Sequence, residues 1–159
     1  MKKLLLGLIV CALLVGMTGV VSACIPTTCQ VNGGGTVDDC NDGFITVAFN
    51  AKGMCYSDDV KGMVNIVYHD SKKKVKFDVV KIEKCCLCDK SPCIKLTLNG
   101  EKCKKYYLKI TDNGEGSNAP CDDYVEFYYC NSKCHNGYEK FKGYLSGNAQ
   151  IRTKEIVPV

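Results

Sequence analysis

Residues 63–82 read MVNIVYHDSKKKVKFDVVKI, and this stretch decides the fold. Two β-rich runs, 63–68 (MVNIVY) and 75–82 (VKFDVVKI), flank the polar segment 69–74. β-branched and aromatic side chains suit a pleated, half-buried surface. A short polar run between two such segments predicts a hairpin. In the second run Val75, Phe77 and Val79 alternate, after which Val80 and Ile82 carry the pattern. A strand has a side-chain period of two, so this change of phase predicts one extra residue, a bulge near Val79-Val80.

The same reading extends in both directions. Downstream, Ile94, Leu96 and Leu98 alternate, and Asn99-Gly100 follows, two residues that tolerate the positive φ of a tight turn. Tyr106, Leu108 and Ile110 continue a return strand; a two-residue loop would not bring both apolar sets to one face, so the register stays open. Upstream, 44–49 (FITVAF) is β-rich. Residues 112–123 form a loop rich in Asn, Gly, Ser and Pro, 124–130 (YVEFYYC) a further strand, and Asn136-Gly137 a turn. Glu139, Phe141, Gly143 and Leu145 share one parity, and 151–159 alternates as a final strand. No segment after residue 23 has helical periodicity. Seven to nine short strands with sandwich-like turn spacing predict an all-β fold: a single-domain antiparallel β-sandwich or barrel-like structure.

Residues 1–23 read as a signal peptide. Lys2 and Lys3 precede an apolar stretch that ends in the small residues Val21-Ser22-Ala23. Cleavage there leaves a mature domain, residues 24–159, that is not membrane-spanning. The junction before Cys24 also resembles a lipid-attachment site, but twelve mature cysteines pair completely and eleven would not. Removing the leader takes two lysines from a net charge of +4, which argues against nucleic acid as a partner. Export places the thiols in an oxidising compartment, so the sequence predicts a secreted, disulfide-stapled protein of the extracellular space or cell envelope. The candidates are Cys24, Cys29, Cys40, Cys55, Cys85, Cys86, Cys88, Cys93, Cys103, Cys121, Cys130 and Cys134. Their connectivity is not readable from spacing.

Several motifs carry alternative chemistry. Cys130, Cys134 and His135 form a C-x3-C-H run, one residue longer than the usual c-type haem attachment site, with His69, Met54 or Met63 as an opposite ligand. Dense cysteines and a turn at Asn136-Gly137 explain the same residues, and no cofactor is assigned. Cys85 and Cys88 with Cys130 and Cys134 would make a four-thiolate metal site, which oxidation opposes outside the cell. Asp38, Asp39 and Asp42 resemble the start of a calcium loop, but Cys40 stands at a ligand position and Phe49 where a closing Glu belongs. Turn chemistry accounts for them too. With two His in the chain, and His69-Asp70-Ser71 reading as a polar turn, no catalytic residues are assigned and no enzyme is expected. Lys72-Lys73-Lys74 and Lys102, Lys104 and Lys105 read as a solvated face or as guards of a strand edge, with an anionic cell-surface polymer as the functional alternative. Nine Tyr, seven of them from Tyr106 onward, predict ring packing between strands.

The opening MKKLLLGLIVCALLVGMTGVVSA resembles the export signals of methanogenic archaea. The cysteine-rich, strand-rich, Tyr-bearing body behind it is similar in character to sheath and cell-envelope proteins of filamentous methanogens. That resemblance implies self-assembly into a resistant layer by strand association, and it transfers no functional residue. The leading expectation is therefore a structural subunit of an extracellular assembly (sheath, surface layer or filament), a homo-oligomer or polymer to which residues 151–159 add as an edge strand. A secreted monomeric binding module is the alternative, followed by the haem electron carrier.

Overall fold

The computed structural model describes residues 27–39, 43–84, 91–100, 104–114, 122–131 and 138–156. Among them every regular element is a strand: β1 (Thr27–Asp39), β2 (Gly43–Met54), β3 (Val60–Tyr68), β4 (Lys73–Lys84), β5 (Cys93–Leu98), β6 (Lys104–Thr111), β7 (Tyr124–Asn131), β8 (Tyr138–Tyr144) and β9 (Ser146–Glu155). No helix among them is long and apolar enough to cross a membrane. The strands run antiparallel in the order β8-β7-β6-β5-β4-β3-β2-β1-β9. Each of β1 to β7 pairs with its successor, an up-and-down meander, and β9 returns to β1. Only Leu145 separates β8 from β9, so the two halves of one bent strand pair with opposite ends of the meander and nearly close it into a barrel.

The strand pairings fall into two sheets that meet at β4 and at the β8–β9 bend. β4 pairs with β3 through Lys73 to Asp78 and with β5 from Val79 onward, with a register shift between Val79 and Lys81. The phase change in the sequence is therefore the bulge at which β4 leaves one sheet for the other, a common way to turn a corner. The β8–β9 bend at Leu145 makes the second corner. The open register is settled as well: Leu98 faces Tyr106, Leu96 faces Leu108 and Ile94 faces Ile110, so both apolar sets share the inner face and the connection is longer than Asn99-Gly100.

The interior follows from alternation. Ile45, Val47, Phe49 and Ala51 of β2 are buried, as are Leu96 and Leu98 of β5, Leu108 and Ile110 of β6, and Val125 and Phe127 of β7. β1 is the strand that sequence reading missed, because Gly33-Gly34-Gly35 and the flanking polar residues look like turn chemistry. Its partners override that propensity: β1 is hydrogen-bonded on both sides, to β2 and β9. The glycines permit close approach. A Cβ on Gly34 would lie 2.6 Å from the Val47 carbonyl oxygen, and one on Gly33 would collide with the Asn148 carbonyl.

β9 ends the strand order, so its outer edge has no strand neighbour among the described residues, and two carboxylates cover that edge at Ala149 and Ile151. The buried Asp123 accepts hydrogen bonds from the Ala149 amide and, at 2.8 Å, from the Asn113 amide. Asp112 accepts from the Ile151 amide at 2.9 Å and from the Gly114 amide at 3.0 Å. The Leu145 amide donates to the Asp123 carbonyl at 2.7 Å. Side chains thus replace the missing ladder, as buried backbone donors require.

Candidate functional site

The end of the barrel where β3 turns into β4 opens into a cavity of about 320 Å³. Its floor is aromatic because inward positions of β4, β6 and β7 converge there. Phe77 lies 4.9 Å from Tyr106 and 5.7 Å from Phe127, and Tyr106 stacks on Phe127 at 5.8 Å. The rings continue inward to Phe141, 5.2 Å from Phe127 and 6.3 Å from Tyr68, and outward through Tyr129 to Tyr138. Such offset and edge-on contacts each add about 0.5–1.5 kcal/mol beyond area burial.

The rim is cationic. Lys73, Ser71 and Lys140 edge this cavity. An adjoining cleft of about 460 Å³ shares Lys73, Val75, Phe77 and Tyr106 with it and adds Lys74, Lys76, Asn99 and Gly100. Among the described residues neither lining contains a carboxylate. Lys73, Lys74, Lys76 and Lys140 take part in none of the ion pairs among the described residues. Lys140 lies over the Tyr129 ring at 4.9 Å from its centroid, which holds its ammonium group near the mouth, and Lys104 lies over the same ring at 5.3 Å. The turn beneath the rim is tight: Lys72 has φ 53°, its amide donates to the His69 carbonyl, and His69 Nε2 meets Thr46 Oγ1 at 2.8 Å. His69 thus engages β2. The Asp70 carboxylate sits over Gly43, whose φ of 65° and lack of a Cβ leave room for it.

The outer face of the second sheet differs in kind, because its charges are matched. Cross-strand neighbours Glu83 and Lys95 pair at 2.7 Å, Lys81 joins Glu83 at 3.2 Å, and Lys109 pairs with Glu126 at 3.2 Å. Burial alone would raise the Glu83 pKa, but hydrogen bonds from Lys95 and Lys81, with their charges, bring it below the usual carboxylate value. The hydrogen bond to Glu83 raises the Lys95 pKa. Tyr107 and Tyr128 stack beside them at 5.2 Å. These are exterior cross-strand pairs that stabilise the sheet.

Of the motifs marked in the sequence, the Lys72-Lys73-Lys74 run and Ser71 reach this mouth, and none of the described cysteines or Asp38 lines it. Cys130 lies on β7 opposite Lys105 and is disulfide-bonded, while Cys134 and His135 lie outside the described residues. A sulfur held in a disulfide is not available for a thioether to haem. Asp38 and Asp39 are strand residues opposite Phe44 and Gly43, and Asp42 lies outside the described residues. Among the described residues no group of three or more His, Cys, Asp or Glu is arranged to hold a metal. Of the disulfide candidates, Cys29 and Cys55 are bonded to each other and Cys93 is buried. Cys24, Cys40, Cys85, Cys86, Cys88, Cys103 and Cys121 lie outside the described residues, as do the leader and Asn136-Gly137. What sequence reading missed is the joining of Lys73 and Lys140, 67 positions apart in sequence, over the Phe77–Phe127 floor. The available signal was the run Lys72-Lys73-Lys74 next to an inward-pointing Phe. Compared with protein-family models, curated proteins and solved structures, the chain matches none of them.

Proposed function

We propose that this chain is an exported, non-enzymatic binding module of the cell surface that holds an anionic polymer at its lysine-rimmed mouth. One observation carries the reading: an aromatic-floored cavity whose lysines have no carboxylate partner among the described residues. Unneutralised cations over ring faces attract anionic groups, and the rings bury the apolar backbone between those groups. Export and disulfide locking, expected from the leader and the cysteines, suit a durable surface component. The structural-subunit reading rests on a different feature: residues 151–155 pair with this chain's own β1, and β9 ends the strand order with its other edge outermost, where a neighbour's strand would add.

The test is retention of the oxidised mature chain on immobilised polyglutamate and polygalacturonate. Retention at low salt is expected to fall steeply toward 0.15 M salt, where charge interactions are screened within about 8 Å. Reversing the rim with Lys73→Glu and Lys140→Glu, both exposed, is expected to weaken it at least about tenfold while leaving stability within ~0.5 kcal/mol. Equal retention of wild type and variant would overturn the reading.

A further inference from the structure

β4 carries an edge that no strand among the described residues completes. On one side Lys73 to Asp78 pair with β3, but pairing with β5 begins only at Val79. The Asp78 carbonyl takes the Asn99 amide at 2.9 Å. Residues 73–77 have no strand beside them on that side among the described residues. The 460 Å³ cleft lies along this edge, between β4 and the residues Asn99, Gly100 and Tyr106. At the other corner the Ala149 and Ile151 amides on the outer edge of β9 are capped by Asp123 and Asp112, whereas no such carboxylate faces residues 73–77 among the described residues.

Resting on the binding reading above, we propose that the anionic polymer is an acidic polypeptide, and that an extended segment of it adds to β4 as an extra strand beside residues 73–77. The backbone supplies alternate N–H and C=O groups for such a ladder, the usual basis of strand addition. The side chains supply selectivity. Lys74 and Lys76 are exposed and Phe77 is buried, with Val75 half-buried beside it. A strand laid along this edge therefore presents every second residue to lysines and the intervening residues to Val75, Phe77 and Tyr106. The segment it fits alternates acidic with apolar residues. Lysines on an edge repel neutral and basic strands by desolvation and like charge, so the same residues that guard against stray pairing admit an acidic one.

The experiment uses the oxidised mature chain and labelled heptapeptides alternating Glu with Val, or Lys with Val. Fluorescence anisotropy should show binding of the Glu peptide only. N-methylating the alternate amides that face β4 should weaken it about tenfold or more, whereas methylating the other set should not, because only one set enters the ladder. Amide exchange at residues 73–77 should slow in the complex. The double variant Lys74→Glu with Lys76→Glu, both exposed, should exchange the preference from the Glu peptide to the Lys peptide. Equal effects of the two methylation patterns, or no protection of residues 73–77, would overturn strand addition. Polyglutamate and polygalacturonate retained by a chain that ignores the Glu peptide would overturn strand addition while the mouth reading stands; no retention of either polymer would end both.

Discussion

Asp123 is a buried carboxylate whose two oxygens serve two backbone amides, Ala149 and Asn113, in segments that no ladder joins. It substitutes for a strand where the meander runs out. Leaving buried donors unsatisfied costs about 1–3 kcal/mol each. Asp123→Ala is therefore expected to lower unfolding stability by about 2–4 kcal/mol in urea titration. Asp123→Asn, which keeps one carbonyl acceptor, should recover part of that loss. Equal stability of wild type and the Ala variant would show that water or a relaxed backbone replaces the carboxylate. Lys73 and Lys140 act at the same scale but in the opposite sense: exposed and in no ion pair among the described residues, they leave stability almost untouched and set the charge of the mouth.

Among the elements, β4 does the most. Its first half presents lysines and an open edge, and its bulge turns the corner. Its second half joins a charge-matched ladder through Glu83. The ladder has a definite pH signature. Glu83, held below its unfolded pKa, contributes stability present above the ordinary carboxylate range and lost as pH falls through its folded value. Lys95, held above its unfolded pKa, contributes stability that is full below the ordinary lysine value and lost as pH rises through its folded value. The pair thus stabilises across neutral pH and fades at both extremes. Because both groups are half-buried and keep contact with solvent, which screens the pair, Lys95→Met is expected to cost less than about 1 kcal/mol at pH 7. The difference from wild type should vanish near about pH 2, where carboxylates are protonated. Denaturant midpoints at the two pH values check this, and a difference that persists in acid would assign the effect to packing of the Lys95 stem on Tyr107.

For the whole molecule, closure is the dominant fact. β9 pairs with β1, and the Cys29–Cys55 disulfide ties the end of the β1–β2 hairpin beside that seam, its cysteines 26 positions apart in sequence. A crosslink of that span restricts the unfolded chain by about 3–4 kcal/mol in the loop-entropy account. Replacing both cysteines with Ala is expected to lower stability by about that amount in thermal or urea unfolding, with the β-sheet circular dichroism retained at 25 °C. No loss would mean that the strand pairing alone holds the seam.

By itself the sequence determined the class of fold, most strands from β2 onward, the bulge in β4 and the cationic segment that follows the β3 hairpin. Each of these rests on local information: alternation, a change of phase, a turn signal or a run of charge within a few residues. Only the tertiary structure decided that β1 is a strand, that β8 and β9 are two halves of one bent strand, and that Lys140 and Phe127 meet Lys73 and Phe77 at one mouth. The physical reason is that sheet order and closure come from hydrogen bonds between residues distant in the chain. Thr28 pairs with Lys154, for example, and nothing in the short-range pattern of either segment records that contact.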